Sequence, residues 1–208
     1  MFTYRAFDFD RTSNRRSTFR TYERSLHAQK TDAEMYETGK AHAQSNLKIN
    51  IANWLKHDAE HIAAIVTFHN NPLYIAGYVA HILNKELVCN GLQYPDPDSK
   101  NIAVARFKVK GSEIPFYIVY LDQTANNFVQ ASGRLGNKNK HLAALRSMLS
   151  SEGLINNEII EFYDDDQRNY LDALSLGQIK CHWVSSEIPT FTIKRELENL
   201  QKKIKSPY

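Results

Sequence analysis

The sequence predicts an α/β fold, a parallel sheet with helices on its faces, on three observations. Short runs rich in β-branched and aromatic residues alternate with longer segments of helical spacing. Strands alternating with helices favour parallel pairing through right-handed crossovers. The side chains best suited to chemistry fall at the ends of the strand-like runs or at a helix start, where an α/β sheet places its ligands.

The elements follow in order. Tyr4–Phe9 reads as a short strand that meets polar residues at once. From Arg11 to about Ser45 the chain is very polar, partly helical in character, with Gly39 its only glycine. Ile49, Ile51, Trp54 and Leu55 suggest an amphipathic helix, loosely at i, i+3, i+4 spacing. Ile62–Val66 is apolar throughout, as suits a buried strand. Pro72 fits the first turn of a new helix, whose apolar face continues through Leu73, Ala76, Val79, Ala80 and Leu83. Leu87–Cys89 is a short strand, and Tyr94–Asp98, with two prolines, is a loop. Ile102–Val109 and Ile114–Leu121 flank a glycine-containing turn and predict a β-hairpin. Gly133 and Gly136 mark a loop, and Leu142, Leu145, Met148 and Leu149 form a helical face beginning near Asn139. Ile159–Tyr163 is a strand that runs into three aspartates. Tyr170–Leu176 is a helix ended by Gly177, and Ile179–Val184 is the last strand. Lys194–Lys205 alternates charge with leucine and predicts a surface helix.

Bulk properties narrow the function classes. With 208 residues, 42% hydrophobic and 24% charged, the chain can bury one substantial core. The 26 Lys+Arg against 23 Asp+Glu give a net charge of +3, which does not indicate nucleic-acid binding and is compatible with an anionic substrate. Two distant cysteines, Cys89 and Cys181, make no disulfide framework or metal-ligand spacing; they are expected to be reduced, buried thiols. No run approaches the 18 apolar residues of a membrane span, and residues 1–8 do not form a signal peptide. The expected location is the cytoplasm; a signal read by a dedicated secretion machine would escape this test.

Four places carry the candidate chemistry. Asp8 and Asp10 end the first strand, with both carboxylates on one side of an extended segment because side chains alternate. Thr67 ends the strand 62–66 and offers a hydroxyl, with its backbone amide as a second donor, to phosphate oxygens. Asp164 and Asp165 end the strand 159–163, and Lys138 opens a helix. A parallel sheet brings all four places to one edge. Such a carboxylate cluster repels itself unless a hard cation sits within it, and oxygen ligands with a phosphate co-ligand suit Mg²⁺.

Ala6-Phe7-Asp8-Phe9-Asp10-Arg11-Thr12 resembles the DxDxT signature of the haloacid dehalogenase superfamily of phosphohydrolases. Ile65-Val66-Thr67 resembles its second motif, Asn137–Leu142 its lysine motif, and Ile160–Asn169 its acidic motif in the DDxxxN form. The resemblance spans residues 4 to about 185, with the motifs in order. It implies a Rossmann-like parallel sheet flanked by helices, with small cap insertions that include the hairpin. It further implies a Mg²⁺-dependent phosphatase that cleaves a phosphate monoester. Asp8 would be the nucleophile and form an aspartyl-phosphate. Asp10 would protonate the leaving group and then activate water. Thr67 would bind the phosphoryl group, and Lys138 would neutralise it and orient Asp8. Asp8, Asp10 (through its carbonyl), Asp164 and Asp165 would hold the metal.

The expected organisation is a catalytic domain over 1–190, with small inserts near 13–48 and 93–130 and a tail or surface helix over 191–208. The partner is a phosphorylated small molecule, nucleotide or phosphoprotein. The alternative reading is a binding or regulatory module of the same fold without significant turnover. Lys140 rivals Lys138 for the site, Asp166 leaves the acidic motif ambiguous by one residue, and Arg11 and His69 either face the pocket or do not. His57 and His61, spaced i, i+4, are expected at the surface, and Trp54 and Trp183 in packing.

Overall fold

The computed structural model describes residues 2–9, 30–46, 54–95, 102–122 and 138–184. The expected helix around 49–55, the glycine loop at 133–136, the tail 191–208, and Asp10, Arg11 and Thr12 lie outside them, apart from Trp54 and Leu55. The described residues form seven strands and four helices. In chain order these are β1 (Thr3–Phe7), α1 (Asp32–Asn46), β2 (His61–Val66), α2 (Pro72–Leu83), β3 (Leu87–Gln93), β4 (Ile102–Val109), β5 (Phe116–Leu121), α3 (Asn139–Ser151), β6 (Ile160–Asp164), α4 (Gln167–Ala173) and β7 (Ile179–Trp183).

One sheet contains all seven strands, in the order β3-β4-β5-β2-β1-β6-β7. The five strands from β5 to β7 are parallel, as the alternating pattern predicts. The expected hairpin is present but is not an insertion beside the sheet. Its second strand, β5, pairs with β2, and β4 and β3 extend the same sheet antiparallel, so the sheet is mixed. The physical reason is burial. Phe116–Leu121 is aliphatic or aromatic at every position and buried at every position, which only a strand covered on both faces can satisfy.

Two layers of helices cover the sheet. Met35 and Ala43 of α1 and Tyr74, Ile75 and Val79 of α2 pack with Phe7, Ile65 and Ile118 on one face. Leu142, Leu145, Met148 and Leu149 of α3 and Ala173 of α4 pack with Ala6, Ala64 and Phe162 on the other. Local signals set the helix ends. Pro72 opens α2, and the Asn71 side chain accepts a hydrogen bond from the Tyr74 amide. Asp166 caps α4 through the Arg168 amide. That cap starts the helix at Gln167 rather than at the expected Tyr170, and the helix ends at Ala173 rather than at Leu176.

The two helices of the first layer touch backbone to backbone. A Cβ on Gly77 would lie 1.9 Å from the Tyr36 carbonyl oxygen, and one on Gly39 would lie 2.0 Å from that of Tyr74. Glycine inside a helix costs about 1 kcal/mol relative to alanine, so both positions trade helix propensity for close approach. Gly77→Ala is therefore expected to destabilise the protein by about 3 kcal/mol, the clash outweighing the propensity gain. Urea unfolding measures this; a variant as stable as wild type would rule out the close crossing.

Candidate active site

The chain leaves β1 for β2 and then β5 on one side, and returns on the other side through β6 and β7. Its direction of travel thus reverses between β1 and β6. Helices α1 and α2 cover one face of the sheet and α3 and α4 the other, and the reversal point lies at the carboxyl ends of β1 and β6. Ligands of open α/β sheets bind at such a point. Asp8 follows β1 there, its amide donating to the Tyr163 carbonyl at 2.8 Å, and Asp164 closes β6.

Alternation explains why the two carboxylates meet. Phe7 and Phe9 belong to the core on the α1–α2 face, so Asp8 projects toward α3. Phe162 packs on the α3 face, and Asp164, two residues on, shares it. Lys138 stands immediately before α3 and enters from that side. Its side chain is 2% exposed, and its ammonium pairs with the Asp8 carboxylate and, at 3.1 Å, with Asp164 Oδ2. Burial alone would pull this ammonium down. The charges of Asp8 and Asp164, with their hydrogen bonds, more than offset burial and hold its pKa above the ordinary lysine value. Lys140 is exposed.

Asp164 is held from several directions. Oδ1 accepts from the Asp166 amide at 2.7 Å, and Oδ2 accepts from the Asn169 side chain at 3.1 Å. Asp166 pairs with Arg168 and caps α4, so it stands apart from the cluster, and the acidic pair is Asp164–Asp165. The indole of Trp183 donates to the Asp165 carbonyl at 3.0 Å, fixing the turn after β6. Single oxygens of Asp8, Asp164 and Asp165 lie within 4.8 Å of one another. Those three carboxylates and one ammonium leave two formal negative charges. Hard oxygen donors with that charge fit Mg²⁺, which needs modest contraction of the cluster and completes its shell with water.

Thr67 directly follows β2, the strand beside β1, at the same edge of the sheet. Its amide donates to the Val119 carbonyl at 2.9 Å, so the sheet takes the second donor that sequence offered and leaves the hydroxyl. Its hydroxyl oxygen accepts from the His69 amide at 3.1 Å. His69 belongs to the loop: its Nδ1 accepts from the Asn71 amide and its ring stacks on Tyr74.

Several histidine and cysteine positions differ from expectation. His57 is 3% exposed rather than at the surface, because Nε2 meets the Ile114 carbonyl at 3.0 Å and Nδ1 accepts from the Ala63 amide. Burial pushes its pKa below the ordinary histidine value. His61 pairs with Asp58, and neither histidine is in a helix. Cys89 is exposed on the edge strand β3 rather than buried; Cys181 is half-buried, and both are free. Trp54 is partly exposed and lies against Tyr163. Sequence reasoning missed two buried polar residues, His141 in α3 and Asp122, which follows β5 and accepts from the Tyr94 hydroxyl.

No protein-family model, curated protein or solved structure matches this chain. No helix among the described residues is long and apolar enough to cross a membrane.

Proposed function

We propose that this chain is a Mg²⁺-dependent phosphatase of the haloacid dehalogenase type, with Asp8 as nucleophile on a phosphate monoester. The observation that carries the reading is the buried Lys138 bridging Asp8 and Asp164 at the sheet's reversal point. A buried ammonium between two carboxylates is expensive to assemble for stability alone, since apolar residues of similar size often serve a core as well or better. The order of the sequence motifs adds to it.

In this reading an oxygen of Asp8 attacks phosphorus as the ester oxygen departs, giving an aspartyl-phosphate that water then cleaves. Lys138 orients the Asp8 carboxylate, and its positive charge offsets the negative charge gathering on the phosphoryl oxygens. The Thr67 hydroxyl holds one of those oxygens. Asp10 passes a proton to the leaving group and takes one from the attacking water. Asp8, Asp164 and Asp165 would hold Mg²⁺, which supplies Lewis-acid stabilisation of the phosphoryl charge. Between Thr67 and Lys138 the described residues belong to the main sheet, to α2 and to their connections rather than to a separate cap. That leaves small molecules, nucleotides and phosphoproteins as substrate classes.

The test is phosphate release from an aryl phosphate. Turnover with Mg²⁺ that is lost in excess chelator and restored by Mg²⁺ is expected. No release with Mg²⁺, across aryl phosphate, nucleotide and phosphopeptide, would overturn the reading in favour of a binding module.

A further inference from the structure

His141 lies in the first turn of α3, three residues after Lys138, so the two share a helix face. It is 2% exposed, and neither ring nitrogen has a hydrogen-bond partner among the described residues. A neutral imidazole carries one donor and one acceptor, and burying both unmatched works against folding. The neighbouring positions show how easily this could be avoided. Leu142, Leu145 and Leu149 continue the face with apolar side chains, and a leucine or phenylalanine at 141 would bury at no such cost.

The surroundings tie His141 to the site. The Phe68 ring, one residue past Thr67, meets the His141 ring edge-on at 5.1 Å. The Lys138 ammonium stands over the same Phe68 ring at 5.2 Å. Phe68 therefore links the imidazole to the group that pairs with Asp8. Burial, and then the Lys138 charge, push the His141 pKa down to about 3. The ring is neutral at physiological pH and adds no charge beside the metal ligands.

We propose that His141 is a binding residue of the Asp8 site, donating its ring N–H to an oxygen of the bound phosphate group as the half-buried Phe68 ring turns aside. This deepens the phosphatase reading and rests on it for the identity of the ligand. Two independent features then converge on one anion: a lysine at a helix start and an orphaned donor one turn further in.

Inorganic phosphate is the probe, added to the full chain with Mg²⁺. Binding is followed by calorimetry and by ¹⁵N NMR of the histidine ring nitrogens. The His141 nitrogens are expected to shift on saturation. His141→Leu is expected to bind phosphate about tenfold more weakly while melting at or above the wild-type temperature, because it removes two unmatched polar atoms. His141→Gln, which keeps a donor, should recover part of the affinity. Wild-type affinity in His141→Leu, an unmoved His141 ring signal, or no phosphate binding by wild type would each overturn the proposal. Should His141→Leu fail to fold, wild-type affinity in His141→Phe would overturn it equally. Phosphate bound through His141 with no ester hydrolysis would sustain the proposal and overturn the phosphatase reading. Hydrolysis with unchanged affinity in His141→Leu would do the reverse.

Discussion

Asp8→Asn is expected to lower phosphate release by about a thousandfold or more, equivalent to at least 4 kcal/mol of lost transition-state stabilisation. Asparagine has the shape of aspartate but cannot serve as the nucleophile at its amide nitrogen, and its oxygen carries no formal charge to attack with. The fold should survive. Lys138 keeps Asp164 at 3.1 Å, and the Asp8 amide bond to Tyr163 does not depend on the side chain. The measurement is kcat/KM on an aryl phosphate under saturating Mg²⁺, beside a thermal melt of the same sample. A loss within about tenfold, only about 1.4 kcal/mol, would remove Asp8 from the nucleophile's role whatever else the site does.

The parts of the fold legible in sequence are those set by local chemistry. Ile62–Val66 had to be a buried strand, Pro72 with Asn71 before it had to open a helix, and the aspartates after residue 163 had to stand at a strand end. The meeting of Asp8, Asp164 and Lys138 was legible in the same way: alternation and strand ends place the two carboxylates, and a helix start places the lysine. What sequence left open depends on partners far along the chain. Nothing local tells that β5 pairs with β2 rather than standing apart as a hairpin, although six consecutive aliphatic or aromatic residues hinted at burial on both faces. His57 has the spacing of a surface residue until Ile114, 57 positions away, supplies its carbonyl. Gly39 and Gly77 reveal their purpose only once α1 and α2 cross. His141 did leave a signal: it interrupts an apolar helical stripe that otherwise runs through Leu142, Leu145 and Leu149.

Removing Lys138 is expected to have the largest effect on stability of any single change at the site. The ammonium is buried between two carboxylates that are themselves almost fully buried, Asp8 at 6% and Asp164 at 0% exposed. Lys138→Met keeps the length and apolar body of the side chain, so packing changes little. It leaves the two carboxylates facing each other with no positive charge between them. Breaking a buried pair in this way costs about 3–5 kcal/mol, most of it the uncompensated charge left behind. If that is the cause, removing one of the remaining charges should undo part of the loss. The double variant Lys138→Met with Asp8→Asn is therefore expected to be at least about 1 kcal/mol more stable than the single losses added together. Urea unfolding of the wild type, both single variants and the double, all in chelator so that no cation replaces the lysine, closes the cycle. Additive losses would mean that Lys138 and Asp8 do not interact in the folded protein, and the bridge at the end of β1 would have to be abandoned along with the site built on it.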